Sequence, residues 1–262
     1  MKQILVFGHK NPDTDSICSA ISFAELKNAQ GVNVIPCRLG NVSKETQFAL
    51  NHFGAEAPLF IENVNADENG KKEVILVDHN EKAQTADGIE SAKILEVVDH
   101  HKFALTTDEP LKITADTVGC TCTLIYRLFK QTGITPSKKA AGLMMSAIIS
   151  DTLLFKSPTC TPEDVEAVKE LSKICGEENY EDYGMKLLIE GTSLSDKTPE
   201  EIITIDMKEF DMNGKKVAVA QVNTVDVAGL LNTQAELEAA MNSMSEKSNY
   251  DLFVLVITCL LY

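Results

Sequence analysis

No stretch of this chain approaches the ~20 consecutive apolar residues that a membrane-spanning helix needs, so no transmembrane segment is expected. Cations are scarce: 24 lysines and arginines face 39 acids, a formal charge of −15. Non-specific nucleic-acid binding depends on clustered cations, and this chain has little to offer a phosphate backbone. The seven cysteines, Cys18, Cys37, Cys120, Cys122, Cys160, Cys175 and Cys259, are odd in number and include no Cys-x-x-Cys. That argues against a disulfide framework and for a reduced, cytoplasmic compartment. Cys120-x-Cys122 offers two soft ligands, but without a second pair or a nearby histidine it fits helix packing better than a metal site. The opening MKQILVFGHKNPDTD turns polar after a few apolar residues, unlike a secretory leader. Tryptophan is absent, which constrains nothing. What is present, 44% apolar and 24% charged residues over 262 positions, is ordinary globular composition with length for one or two domains.

Short apolar runs alternate with longer helical stretches. Strands are expected at Ile4–Phe7, Val32–Pro36, Val74–Val77 and Ile94–Val98, and helices at Ser16–Lys27, Thr46–Phe53, Cys120–Lys130, Lys138–Ser150 and Pro162–Cys175. Alternating β and α units with apolar strands imply an α/β fold, a mostly parallel sheet with helices on both faces. The polar, turn-rich EGTSLSDKTP predicts a boundary, with a first domain over 1–189, a linker at 190–199 and a second domain over 200–262. That second part reads as a helix from Pro199, strands near Ile205–Phe210 and Lys216–Val222, a helix over Gln234–Met244 and a last strand at Leu252–Thr258. No covering helix is encoded after that strand, so the smaller α/β domain is expected to be incomplete.

Four of the five histidines lie in acidic clusters at strand ends. His9-Lys-Asn-Pro-Asp13-Thr-Asp15 follows the first strand, Asp78-His79-Asn80 follows VILV, and Asp99-His100-His101 follows ILEVV. Carboxyl ends of parallel strands line one crevice, so residues distant in sequence can meet there. Asp13 or Asp15 equally suits the N-cap of the next helix, and Asp78 could satisfy backbone donors at a strand end. Asp99-His100-His101 is harder to bury without partners. Carboxylates and imidazoles without thiolates favour Mn²⁺, Co²⁺, Mg²⁺ or Zn²⁺, and so many ligands suit a pair of ions ~3.5–4 Å apart that promotes in-line attack at phosphorus. Asp151, directly after LMMSAIIS, offers a further acid. His52, in the helix NHF, reads as a surface or packing residue.

The segments FGHKNPDTDSICSA, ILVDHNE, EVVDHH, VGCTCT and SAIISDTLLFKSPT closely resemble the family II (manganese-dependent) inorganic pyrophosphatases of the DHH phosphoesterase superfamily. The resemblance implies a DHH domain followed by a DHHA2-like domain, and hydrolysis of inorganic pyrophosphate to two phosphates by a water that two metal ions activate. It implies that His9, Asp13 and Asp78 hold one Mn²⁺ (Co²⁺ as the alternative), and that Asp15, Asp78, His100 and Asp151 hold the other, with Asp78 bridging. It further implies that His101 faces the substrate and assists protonation of the leaving group, that Asp99 orients a neighbouring histidine, and that Lys208 binds phosphate, with Lys156 a further phosphate contact. An additional Mg²⁺ is expected with the substrate. Four aspartates against two divalent ions leave the site near neutral, so bound cations locally override the acidic chain. Family members usually form homodimers through the first domain.

Nucleic-acid-cleaving relatives carry a glycine-rich, histidine-containing motif, whereas this chain has no Gly-Gly pair. Family members usually end with a Ser-Arg-Lys motif that clamps the substrate. Here the sequence reads Cys-Leu-Leu-Tyr instead, and its only arginines, Arg38 and Arg127, fall in the first part. Lysine is a poor substitute for guanidinium recognition of phosphate, so the metal centre is expected to assemble while hydrolysis is weak. Two other readings compete: a DHH phosphodiesterase acting on short oligonucleotides or cyclic dinucleotides, and a non-catalytic metal-binding fragment.

Overall fold

Alternate residues of the first strands point to opposite faces of a sheet, and both faces are buried. The structure, a computed structural model, describes residues 3–68 and 70–261. In chain order it runs β1 (Ile4–Phe7), α1 (Thr14–Ala29), β2 (Val34–Arg38), α2 (Lys44–His52), β3 (Leu59–Phe60), β4 (Glu73–Val77), β5 (Lys93–Asp99) and β6 (Lys112–Ala115). Then follow α3 (Thr121–Thr132), α4 (Lys138–Asp151), α5 (Pro162–Cys175) and α6 (Tyr180–Gly191). The last elements are α7 (Pro199–Ile202), β7 (Met207–Met212), β8 (Lys215–Thr224), α8 (Val227–Leu231), α9 (Gln234–Ser248) and β9 (Leu252–Cys259). The chain divides into two units, Met1–Leu187 and Leu188–Tyr262. The division falls inside α6, which continues into the stretch read as linker from the sequence.

In the first unit six strands pair in the order β3-β2-β1-β4-β5-β6, every pair parallel. The chain winds outward from β1 through β2 to β3, then returns to β4 on the other side of β1. The sheet therefore reverses its order between β1 and β4, the place where open α/β sheets form their ligand crevice. One face carries Ile4, Val6, Ile75, Val77 and Val98 into a core shared with Phe23, Leu124, Phe129, Leu143, Met144 and Ile148 of α1, α3 and α4. The other face carries Phe7, Val74, Leu76 and Val97 against Val64, Ala86, Ile89 and Leu105, and its helical cover is two short 3₁₀ turns, Lys82–Gln84 and Ile89–Ser91. Gly184 lets α6 approach closely: a Cβ there would stand 2.8 Å from Ile149 Cγ2. All seven cysteines are free thiols.

The second unit is built on a three-stranded sheet in the order β7-β8-β9. β7 and β8 form an antiparallel hairpin through Asn213-Gly214, both with positive φ (55° and 80°), the conformation a two-residue hairpin turn prefers. β9 pairs parallel with β8. Ile202, Ile203, Val222, Leu230, Leu237 and Ala240 form its core. Among the described residues of the chain, no helix is long and apolar enough to cross a membrane.

Candidate metal centre

Four segments meet where the sheet reverses. His9 follows β1, and its backbone N–H donates to Ser16 Oγ at 2.8 Å. Gly8 makes that contact possible, because a Cβ there would lie 1.8 Å from the same hydroxyl. Asp13 is the N-cap of α1, with Oδ1 accepting from the Ser16 N–H at 2.9 Å. Its Oδ2 stands 3.4 Å from His9 Nε2, so capping and site geometry are served by one carboxylate. Asp78 follows β4 directly, in the left-handed region (φ 60°), so the chain turns out of the strand path there. Asp151 ends α4, and Leu153, Leu154 and Phe155 follow with φ of 47°, 53° and 68°. A left-handed turn of three non-glycine residues costs roughly 1–2 kcal/mol per residue, and such strain concentrates at functional sites.

Asp78 stands at the middle. Its Oδ2 is 3.4 Å from His9 Nε2, and its Oδ1 is 3.6 Å from His100 Nε2 and accepts from Thr121 Oγ1 at 3.1 Å. Oδ2 is buried without a hydrogen-bond donor. Potential ligand atoms of His9, Asp13 and Asp78 lie within 4.8 Å of one another, as do those of Asp15, His100 and Asp151 and those of Asp78, His100 and His101. Asp15, Cys120 and Cys122 form a fourth such group, in which burial and the neighbouring acid push both thiols upward, Cys122 to about 12.

Asp15 is completely buried at the N-terminus of α3, where Oδ2 accepts from the Thr121 N–H at 2.7 Å and Oδ1 from the Cys122 N–H at 3.1 Å. It supplies from outside the helix the cap that Cys120 does not provide. Burial alone would raise its pKa, but His100, the Ser19 hydroxyl and these donors hold it below the usual range. Asp78 and Asp151 differ: burial first, then repulsion from Asp15 and Asp13, pushes both well above the ordinary carboxylate value. Buried acids that repel one another, one with an orphaned oxygen, are the environment a divalent cation neutralises.

The imidazoles are oriented by their other nitrogens. His100 Nδ1 lies 3.0 Å from the Val118 carbonyl; a carbonyl only accepts, so Nδ1 donates there and Nε2 is turned toward Asp78. Backbone or carboxylate partners fix metal-binding imidazoles in this way. His101 Nδ1 sits 2.9 Å from Asp99 Oδ1, and the hydrogen bond to Asp99 outweighs burial to raise the His101 pKa. Asp99 is itself completely buried; burial works against its ionisation, but the bonds from His101 and Asn80 prevail and lower its pKa. Asn80 Nδ2 donates to Asp99 Oδ2 at 2.6 Å and to the Lys102 carbonyl, while its Oδ1 accepts from the Ala104 N–H. A cavity of about 120 Å³ beside the cluster is lined by His9, Asp78, Asn80 and His101 among others. Larger cavities, about 320 Å³ near Lys82 and Leu105 and about 420 Å³ in the second unit, hold none of the clustered histidines or aspartates.

The structure thus brings together His9, Asp13, Asp15, Asp78, His100, His101 and Asp151, with Asp99 behind His101. Lys156 is exposed in the turn after α4. Lys208 is on β7 of the second unit, exposed, with Nζ 3.6 Å from Asp206. His79 is buried against Phe7 and lines the cavity of about 120 Å³ beside the cluster. Its Nδ1 donates to the Val77 carbonyl, its Nε2 has no hydrogen-bond partner among the described residues, and burial lowers its pKa to about 4. His52 packs on Phe53 and Tyr183 and pairs with Glu177. Sequence reasoning missed Thr121, the roles of Asn80 and Glu45, and Asp164, which holds Gly119 N–H and Thr123 Oγ1 and so steadies the start of α3.

Residues 3–148 match the DHH family, N-terminal domain, and residues 185–261 the DHHA2 domain. The manganese-dependent inorganic pyrophosphatase of Bacillus subtilis (strain 168) is 52% identical over 262 residues, covering all of this chain and 84% of that protein. The chain belongs to the manganese-dependent inorganic pyrophosphatases of the DHH family. A Bacillus velezensis relative named "Probable manganese-dependent inorganic pyrophosphatase" is also 52% identical, with the same coverage. The crystal structure of a Methanococcus jannaschii "putative family II inorganic pyrophosphatase" superposes with a TM-score of 0.71 at 42% identity, over 97% of this chain and 83% of that one. An exopolyphosphatase-related protein from Bacteroides fragilis, 18% identical with a TM-score of 0.61 over 92% of this chain and 71% of that one, shares the fold.

Proposed function

We propose that this chain hydrolyses inorganic pyrophosphate to two phosphates at the cluster around Asp78. The observation that carries the reading is the buried Asp78 carboxylate, with an orphaned Oδ2 and with His9 and His100 Nε2 at 3.4 and 3.6 Å. His9, Asp13 and Asp78 would hold one Mn²⁺, and Asp15, Asp78, His100 and Asp151 a second. A pair of divalent cations, when bound, supplies Lewis acidity toward phosphoryl oxygens and acidifies water. His101, raised in pKa by its hydrogen bond to Asp99, is the group that would hand a proton to the departing phosphate oxygen, as general acids do. Asp99 keeps that imidazole in one tautomer and Asn80 keeps Asp99 in place. Lys208 and Lys156 bind phosphate oxygens as point charges, and a Mg²⁺ enters with the substrate. Homodimerisation through the first unit is part of the same reading.

The test is phosphate release from pyrophosphate by the 262-residue chain loaded with Mn²⁺, with a cyclic or linear dinucleotide as the competing substrate. Pyrophosphate turnover that requires Mn²⁺ supports the proposal. Dinucleotide cleavage without pyrophosphate turnover would contradict it. The weak turnover expected from the scarcity of arginine is read in the same assay, as the rate per chain relative to the Bacillus subtilis enzyme.

A further inference from the structure

Glu45 lies in the first turn of α2 and belongs to none of the groups of potential ligand atoms among the described residues. Yet it joins two segments that carry them. Thr14, between Asp13 and Asp15, donates its hydroxyl to Glu45 Oε1 at 2.6 Å. Ser150, immediately before Asp151, donates its hydroxyl to the same oxygen. These partners are 31 and 105 positions away in sequence, so one carboxylate oxygen closes a long loop. A relay of hydroxyls reinforces it. Thr14 Oγ1 is 3.0 Å from Thr46 Oγ1, which is 2.9 Å from Ser43 Oγ. Because the Thr14 proton is committed to Glu45, Thr46 donates to Thr14 and Ser43 to Thr46. Ser43 in turn accepts from the Thr46 N–H at 3.1 Å and caps α2. Every hydroxyl proton in the relay runs toward Glu45, and Thr14 and Thr46 are buried where no water competes.

We infer that Glu45 is a positioning residue for the metal centre, fixing the Asp13-Thr14-Asp15 segment against the end of α4 so that Asp15 and Asp151 face one ion together. The inference rests on the two-ion reading above. Groups that orient metal ligands from behind are commonly worth ~10–100-fold in affinity. Removal of Glu45 acts most on the ion that needs both Asp15 and Asp151, and least on the one held by His9, Asp13 and Asp78.

Mn²⁺ binding to the intact chain, followed by calorimetry and by electron paramagnetic resonance of the ion, tests this. The parent binds two ions. Glu45→Ala weakens one of them about tenfold or more and the other less than about threefold. Glu45→Gln keeps an amide oxygen that accepts both hydroxyls, so both affinities stay within about threefold of the parent. Ser150→Ala alone weakens the same ion, and adds less than about twofold when combined with Glu45→Ala, because the two act through one bond. If Glu45→Ala does not fold, the comparison of Ser150→Ala with Glu45→Gln decides. Unchanged binding in Glu45→Ala, equal loss at both ions, loss in Glu45→Gln matching that in Glu45→Ala, or additive losses would each overturn the Glu45 role while the two-ion reading stands. A parent that binds fewer than two Mn²⁺ would overturn the two-ion reading, and this inference with it.

Discussion

Replacing Asp78 by asparagine should have opposite effects on the metal-free and the metal-loaded protein. In the metal-free fold, burial and the adjacent Asp15 and Asp13 push the Asp78 carboxyl well above its ordinary pKa. The folded state therefore binds this proton more tightly than the unfolded chain does. That contribution to stability is present in full below the unfolded carboxylate pKa and is lost as pH rises through the folded one. Each pH unit between the two is worth ~1.4 kcal/mol, so the metal-free protein carries the penalty at neutral pH. Asp78→Asn would remove it, and would also relieve Asp151, which Asp78 repels. The amide keeps an acceptor for the Thr121 hydroxyl at Oδ1. At ~2–4 °C per kcal/mol for a chain of this size, the metal-free variant should melt several degrees above the parent at pH 7, with the gap shrinking toward pH 4. Mn²⁺ at a hundred times its dissociation constant stabilises a one-site fold by ~2.7 kcal/mol, or about 5–10 °C, and D78N should lose most of that increment. Scanning fluorimetry in a chelator and in Mn²⁺, at both pH values, reads all four numbers. A metal-free D78N that melts below the parent at pH 7 while keeping the Mn²⁺ increment would show that Asp78 is neither a buried charge penalty nor a metal ligand.

His101→Gln should lower kcat ~10²–10³-fold by removing the general acid while leaving Mn²⁺ stoichiometry unchanged; a kcat within threefold of the parent would contradict that role. Lys208→Met should raise KM for pyrophosphate about tenfold with a smaller effect on kcat, the signature of lost ground-state binding in steady-state kinetics. Gly8→Ala should destabilise the fold by about 1–3 kcal/mol, because the new Cβ would sit 1.8 Å from Ser16 Oγ; chemical denaturation checks it, and wild-type stability would contradict the steric argument.

The central strands were legible because they are apolar on both faces, so ILVF, VILV and ILEVV stood out and each ended at a polar cluster. β6 (Lys112–Ala115) was not, because its sequence KITA is short and mostly exposed. Helix α6 was masked by Gly184, whose reason for being there is a close contact with Ile149 that only the fold creates. Polar clusters at strand ends revealed His9, Asp13, Asp78, Asp99 and His100 together, since a parallel sheet gathers its carboxyl ends by construction. What the sequence could not reveal is who holds these residues. Asp15 takes its two backbone donors from residues 106 and 107 positions away, and Asp164 reaches Gly119 across 45. No local pattern encodes such partners. Asp13 shows the opposite limit: the cap and ligand readings were offered as alternatives, and its two oxygens face the helix N–H and His9 separately.

Anomalous diffraction from crystals grown with Mn²⁺ tests whether the strand ends of the first unit, the start of α1 and the end of α4 together hold two ions. Two manganese peaks ~3.5–4 Å apart are expected, one against His9, Asp13 and Asp78, the other against Asp15, Asp78, His100 and Asp151. A single peak, or peaks that leave Asp78 without a metal contact, would contradict it.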